Sequence, residues 1–225
     1  MMRSFGNRPD SFVTDEPFYS HYLKVTQLPH PGAAEVVKTH ESDWRKVVGW
    51  LTGPIPEGKT IWYQKHMAHH LLPGMDCDWM KNLSHAFLIR DPHDVVASLT
   101  EFIAHPTLRD TGFPQQESLV ESIRSSTGKI PPIIDSRDLQ SNPRAILSKL
   151  CDMLGIPFLE EMLSWKPGIH PTDGCWAKHW YSKVALTTGF NPHKEKSIPQ
   201  PMELEPILVG CKEIYQRLYK LRITA

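Results

Sequence analysis

Phe87-Leu88-Ile89-Arg90-Asp91-Pro92-His93-Asp94-Val95-Val96-Ala97-Ser98 is the stretch on which the fold reading turns. With His85 and Ala86 before it, the apolar run reads as a strand over 85–89, of the kind buried in a parallel sheet with helices on both faces. Arg90 ends that strand abruptly. Asp91-Pro92 then pairs an N-cap acid with a proline at the first helical position, where the missing amide hydrogen costs nothing. Val95, Val96 and Leu99 give the new helix its apolar side.

Arg90 thus stands at a strand's carboxyl end, and Ser98 lies eight residues on, about two helical turns into the helix that follows. The two side chains are spaced to grip one anion from two directions. Arginine offers a planar fork matched to phosphate oxygens, serine a hydroxyl, and the helix N-terminus a favourable potential. A structural alternative stays open, in which Arg90 pairs with Asp94 or Asp15 and Ser98 bonds back to its own helix.

Working outward toward the N-terminus, residues 60–64 read as a strand leading into Lys65-His66-Met67-Ala68-His69-His70. Residues 35–51 read as a helix broken near Ser42, a plausible N-cap, and stopped at Gly53-Pro54. Residues 11–14 read as a strand ending in Asp15-Glu16-Pro17, and Met1 to Gly6 as the body of a helix. In the other direction come a helix over 115–126, a strand over 131–135, and an amphipathic helix over Pro143–Leu154 closed by Gly155. Leu204, Ile207, Leu208, Cys211, Ile214, Tyr215, Leu218 and Leu221 recur at helical spacing in a last helix expected to cover the sheet. Strands alternating with helices imply parallel pairing and right-handed crossovers, hence a three-layer α/β sandwich with a central parallel sheet.

The 225 residues suffice for one substantial core, no linker or internal repeat divides them, and a single domain over 1–225 is expected. Lysine plus arginine equals aspartate plus glutamate at 25 each, so no global field favours nucleic acid or an anionic membrane. The four cysteines, Cys77, Cys151, Cys175 and Cys211, form no CxxC pair and read as reduced thiols in a cytoplasmic protein. No apolar run is long enough for a membrane span, and no signal-peptide core opens the chain.

The stretch 87–98 resembles the 3′-phosphate-binding segment of the sulfotransferases. In that family the arginine and the serine eight positions later hold the 3′-phosphate of 3′-phosphoadenosine 5′-phosphosulfate. Three further stretches agree in order. Lys65-His66 with Leu71-Leu72-Pro73 is similar to the family's lysine and histidine segment. Asp138-Leu139 through Asn142-Pro143 to Leu154-Gly155 is similar to its Asp-Leu…Asp-Pro…Leu-Gly stretch. Gly174-Cys175-Trp176-Ala177-Lys178-His179-Trp180 resembles its late Gly-Asp-Trp-Lys loop.

The resemblance implies a P-loop NTPase-like, sulfotransferase-like fold and the phosphosulfate as co-substrate, with Arg90, Ser98, Gly174 and Trp176 on the nucleotide. It implies His66 as base for the acceptor's proton and Lys65 as the cation for charge developing on the leaving phosphate. The expected partner is a small acceptor bearing a hydroxyl or an amine. In two places the pattern departs. The family's first strand and phosphosulfate loop would precede the opening helix and are expected to be missing. In the late loop Cys175 and Ala177 stand for an acid and a basic residue, for which Lys166 and Lys178 are possible substitutes.

Other readings stay open at this point. His69 or His70 is an alternative base, since His66 adjoins the lysine where the family has its histidine two positions on. His66, His69 and His70 at i, i+3 and i+4 would sit on one helical face, either solvated or binding zinc, but HExxH is absent and no metal is expected. Asp15-Glu16 reads as an acceptor-positioning pair or as a cap and salt-bridge partner. Trp165, Trp176, Trp180 and Tyr181 read as a pocket wall or as anchors pinning a loop. A non-catalytic nucleotide-binding or scaffold relic is the alternative function. A P-loop kinase is a more distant one, lacking the Walker lysine and its adjacent Ser/Thr.

Overall fold

Two short strands, each an apolar pair or triplet followed by two polar residues, open the fold: β1 (Ser11–Asp15) and β2 (Ile61–Lys65). They pair in parallel, Ser11 opposite Ile61 and Asp15 opposite Lys65, so both charged ends lie at one carboxyl edge. The computed structural model describes residues 1–193 and 202–225 and divides into two compact units. One comprises Met1–Asn82 and Leu159–Phe190; the other comprises Leu83–Phe158 and Asn191–Ala225.

In the first unit, helix α1 (Met2–Gly6) lays Phe5 on Tyr63 of β2 with ring centroids 4.5 Å apart. Helices α2 (Tyr19–Thr26), α3 (Ala33–Thr39) and α4 (Trp44–Leu51) follow β1. Tyr19, Tyr22 and Leu23 of α2 and Val36 of α3 bury around Trp176, while Phe18 joins Val47 and Leu51 of α4. The break between α3 and α4 falls as expected, but the cap is Asp43, whose carboxylate accepts the Arg45 amide at 3.0 Å. Ser42 instead accepts Lys24 Nζ at 3.0 Å.

The second unit holds β3 (Phe87–Ile89) and β4 (Ile133–Asp135), again parallel, with Ile89 opposite Asp135. Pro131 and Pro132 have no amide hydrogen to offer a ladder. Pairing accordingly begins where Phe87 N donates to the Pro132 carbonyl at 2.8 Å. Helix α5 (Pro92–Leu99) starts as the sequence indicates, with the Asp91 side chain accepting the His93 amide at 2.9 Å. Then come α6 (Phe113–Thr127), α7 (Ser136–Ser141) and α8 (Pro143–Leu154), the last capped by Asn142 and ended by Gly155 at φ 70°, a left-handed turn that favours glycine. In unit 1 a short α9 (Ala177–Trp180) completes the late loop, and in unit 2 α10 (Glu205–Lys220) closes the fold. Leu208, Cys211, Ile214 and Leu218 of α10 bury against Ile89, Ile133, Val96, Phe113 and Val120.

The protein is therefore a mixed α/β fold with parallel strands, as the alternation of elements implies. The single central sheet of a three-layer sandwich is not seen. Among the described residues the four strands form two separate two-stranded sheets, β1–β2 and β3–β4. Alternation fixes parallel direction but not which strands become neighbours, and three-residue strands offer few ladder bonds. Leu88 departs from full burial as well: its side chain is exposed, so β3 is covered on one face only. Among the described residues no helix is long and apolar enough to cross a membrane, and all four cysteines are free thiols.

Candidate functional site

Both parallel pairs carry charge at their carboxyl edges, the place where open α/β sheets position chemistry. In the first unit Asp15 ends β1 and Lys65 ends β2. Lys65 Nζ lies 3.1 Å from Asp15 Oδ1, ion-pairs with Glu16, and donates to the Tyr181 hydroxyl at 2.6 Å. That hydroxyl is 2.8 Å from both Asp15 oxygens and donates to the carboxylate. Asp15 Oδ2 also accepts the Trp176 indole N–H at 3.1 Å and the Gly174 amide at 3.3 Å. The Asp15 side chain is 1% exposed, so each of these bonds acts where water does not compete.

The backbone bends to make this cluster. Glu16 takes φ 40°, uncommon for a residue with a Cβ, while its amide continues the sheet by donating to the Lys65 carbonyl at 2.9 Å. Gly174 is demanded by its neighbour: a Cβ there would lie 2.2 Å from the Trp176 ring. Protonation follows from the environment. Burial opposes the charge on Lys65, but Glu16 and Asp15 outweigh it and hold the ammonium well above its usual pKa. Burial, and then the Asp15 charge, push the Glu16 carboxyl up against the opposing pull of Lys65. Burial raises the Tyr181 phenol, keeping it a neutral donor.

His66 follows Lys65 directly. Gln64 donates its amide N–H to the Leu51 carbonyl at 2.9 Å, which presents Gln64 Oε1 to His66 Nε2 at 3.3 Å. In the neutral ring this places the proton on Nε2 and the lone pair on Nδ1. The three histidines do not share a helical face. Met67 is extended, and only Ala68–His70 form a tight 3₁₀ turn. His70 is 3% exposed, stacked on Tyr19 at 4.9 Å and tilted against Tyr22 at 4.7 Å, with His69 edge-on at 4.6 Å. Burial, with the surrounding positive groups, drives the His70 pKa well below the ordinary value. Among the described residues no three His, Cys, Asp or Glu side chains are placed to hold a metal ion.

In the second unit Arg90 follows β3 and is 40% exposed, with Nε 3.6 Å from Asp94 Oδ2 in the first turn of α5. Asp94 is one of the two acids weighed as its neighbours. Ser98 is half-buried on the second turn of α5. The same edge carries Arg137, whose Nη2 lies 3.0 Å from Asp91 Oδ2, and Asp135, which accepts the Tyr215 hydroxyl at 2.8 Å. His193 Nδ1 stands 4.0 Å from Asp94 Oδ2.

The family model described as a sulfotransferase domain matches residues 1–218, nearly the whole chain with both charged edges in it. The chain belongs to the sulfotransferase domain family. Two curated Arabidopsis thaliana proteins are similar to it. They are branched-chain-amino-acid aminotransferase-like protein 2, 33% identical over 219 residues, and protein 1, 34% identical over 221. Each alignment covers 97% of this chain but only 38% and 39% of those proteins, so the chain spans about two fifths of their length. Among solved structures it is similar to the sulfotransferase domain from the curacin biosynthetic pathway, 17% identical with a TM-score of 0.42, covering 92% of this chain and 79% of that one. The sulfotransferase domain of the Synechococcus PCC 7002 olefin synthase is 15% identical with a TM-score of 0.41, covering 89% and 92%.

Within this sulfotransferase domain the residues singled out from sequence fall into two groups. Lys65, Gly174 and Trp176 converge on Asp15, and Arg90 and Ser98 share the β3–α5 turn of the other unit. Lys178, the proposed substitute in the late loop, pairs with Glu35 at 2.5 Å. The aromatic loop is pinned from several sides: Trp165 donates to Thr187 Oγ1 at 3.0 Å, and Trp176 is 2% exposed with Tyr19 edge-on at 5.2 Å. Asp15 as the hub of the Lys65 cluster, Tyr181 as its hydroxyl, and Arg137 at the second edge were not assigned these places from sequence. An acid at a strand end was the signal for Asp15. The signal for Arg137 was a basic residue two positions past the acid that ends β4.

Proposed function

We propose that this domain binds 3′-phosphoadenosine 5′-phosphosulfate through the β3–α5 turn, with Arg90 and Ser98 holding the 3′-phosphate. We further propose that it transfers the sulfuryl group to a small acceptor bearing a hydroxyl or an amine. One observation carries the reading. In a chain of the sulfotransferase family, a partly exposed arginine ends a strand, and a capped helix with a serine on its second turn begins immediately after it.

The phosphosulfate supplies an activated sulfuryl group, and the acceptor's heteroatom takes that group while bisphosphate leaves. His66 accepts the proton the acceptor loses, on an imidazole oriented by its contact with Gln64. Lys65, kept charged by Glu16 and Asp15, supplies fixed positive charge to the reaction. Asp15 in turn fixes Lys65, and the donors of Gly174 and Trp176 fix Asp15.

Calorimetry with adenosine 3′,5′-bisphosphate tests the donor assignment. Arg90→Ala abolishes measurable binding and Ser98→Ala weakens it. The Arg90–Asp94 contact is long and half-exposed, so its loss costs the fold little. Unchanged affinity in Arg90→Ala refutes the proposal.

A further inference from the structure

Arg90 shares its edge with a second arginine. Arg137 sits in the first turn of α7, which starts directly from β4, and its amide donates to Asp135 Oδ1 at 2.8 Å, fixing its backbone. Its guanidinium reaches across to the start of α5, where Nη2 is 3.0 Å from Asp91 Oδ2. Asp91 has only that oxygen to give, because its Oδ1 caps α5 through the His93 amide.

A guanidinium presents Nε–H and an Nη–H along one edge, a fork suited to two oxygens of a phosphate or carboxylate. At Arg137 Asp91 takes the Nη2 side alone. Nε is buried with no hydrogen-bond partner among the described residues. Buried donors in folded proteins nearly always have an acceptor. The side chain as a whole is 40% exposed, as is that of Arg90, so an anion at this edge can approach the outer N–H groups of both guanidinium planes.

We propose that Arg137 is a second guanidinium of the phosphate site, giving an N–H of its exposed edge to an oxygen of the same phosphate that Arg90 holds. The inference rests on reading the β3–α5 turn as the 3′-phosphate grip. It makes that grip specific: two planar forks from the ends of adjacent parallel strands select a phosphate monoester over the free hydroxyl of a 5′-nucleotide. Asp91 serves as the positioning residue that holds Arg137 over the turn.

Calorimetric titration of wild type, Arg90→Ala, Arg137→Ala and Arg137→Lys with adenosine 3′,5′-bisphosphate and with adenosine 5′-monophosphate tests this. Arg137→Ala is expected to weaken the bisphosphate by about tenfold or more, as loss of one charge-assisted hydrogen bond does, and to leave the monophosphate nearly unchanged. Arg137→Lys keeps a charge for Asp91 but loses the fork; it is expected to lose several-fold for the bisphosphate alone, and it decides the matter if the alanine variant does not fold. Equal weakening of both nucleotides, or wild-type affinity in both Arg137 variants while Arg90→Ala loses binding, overturns the role of Arg137 and leaves the grip standing. Wild-type affinity in the Arg90 variant as well overturns both.

Discussion

The Asp15 carboxylate, at the end of the first strand, accepts the indole N–H of Trp176 at 3.1 Å from 161 positions further along the chain. Its other oxygen faces Lys65 Nζ at 3.1 Å. One side chain thus joins the strand edge, the late loop and the lysine. Asp15→Ala would leave the Trp176 and Gly174 N–H groups without their acceptor and Lys65 with Glu16 as its remaining carboxylate. The expected loss is about 3 kcal/mol of unfolding free energy, from orphaned donors in a dry site and a lysine left with one carboxylate in place of two. Asp15→Asn, which keeps one acceptor oxygen, is expected to lose less. Urea unfolding measures both, and an alanine variant within about 0.5 kcal/mol of wild type removes Asp15 from the centre of this unit.

His70 makes the stability of the protein depend on pH. In the fold its pKa lies well below the ordinary 6.5, because burial disfavours the charged ring, whereas the unfolded chain takes up the proton near 6.5. The unfolded state then binds more protons between the two values, so stability is full above about pH 6.5 and falls as the pH drops toward the folded value. The slope from this one group cannot exceed about 1.4 kcal/mol per pH unit. The difference in unfolding free energy between wild type and His70→Gln, followed from pH 8 to pH 5, isolates it from His40, whose pKa burial also lowers. Wild type should lose ground to the variant as the pH falls; a flat difference rules the buried neutral ring out.

Local signals were the legible ones. Pro143–Leu154 is read to the residue because Asn142 and a first-position proline mark its start and Gly155 its end. The β3–α5 turn is read equally well, because Asp91-Pro92 leaves a strand no other continuation. Helix α7 escapes notice because Ser136–Ser141 buries only Leu139 and so shows no apolar period. A helical face shared by His66, His69 and His70 fails for a backbone reason: Met67 is extended, and a three-residue 3₁₀ turn cannot place side chains at i+4. The meeting of Asp15 with Trp176 and Tyr181 is a long-range contact, which periodicity and capping do not encode. Strand alternation likewise announces parallel pairing without naming partners, which is how one expected sheet becomes two pairs.

His66 carries the sharpest kinetic expectation. Its ring is held by Gln64 through Nε2, tilted against Phe18 with centroids 5.5 Å apart, and is neither sealed like His70 nor edge-on to it like His69. A general base needs access to the acceptor as well as a lone pair, and a half-buried ring has that access where a fully buried one does not. His66→Ala is therefore expected to lower kcat for sulfuryl transfer by about 10²- to 10⁴-fold while leaving the affinity for adenosine 3′,5′-bisphosphate unchanged. Gln64→Leu removes the hydrogen bond that selects the tautomer and should cost a smaller factor in kcat with KM nearly unaltered. Steady-state turnover paired with calorimetry separates these effects from donor binding. Turnover that survives in His66→Ala but disappears in His69→Ala would transfer the role of base to His69.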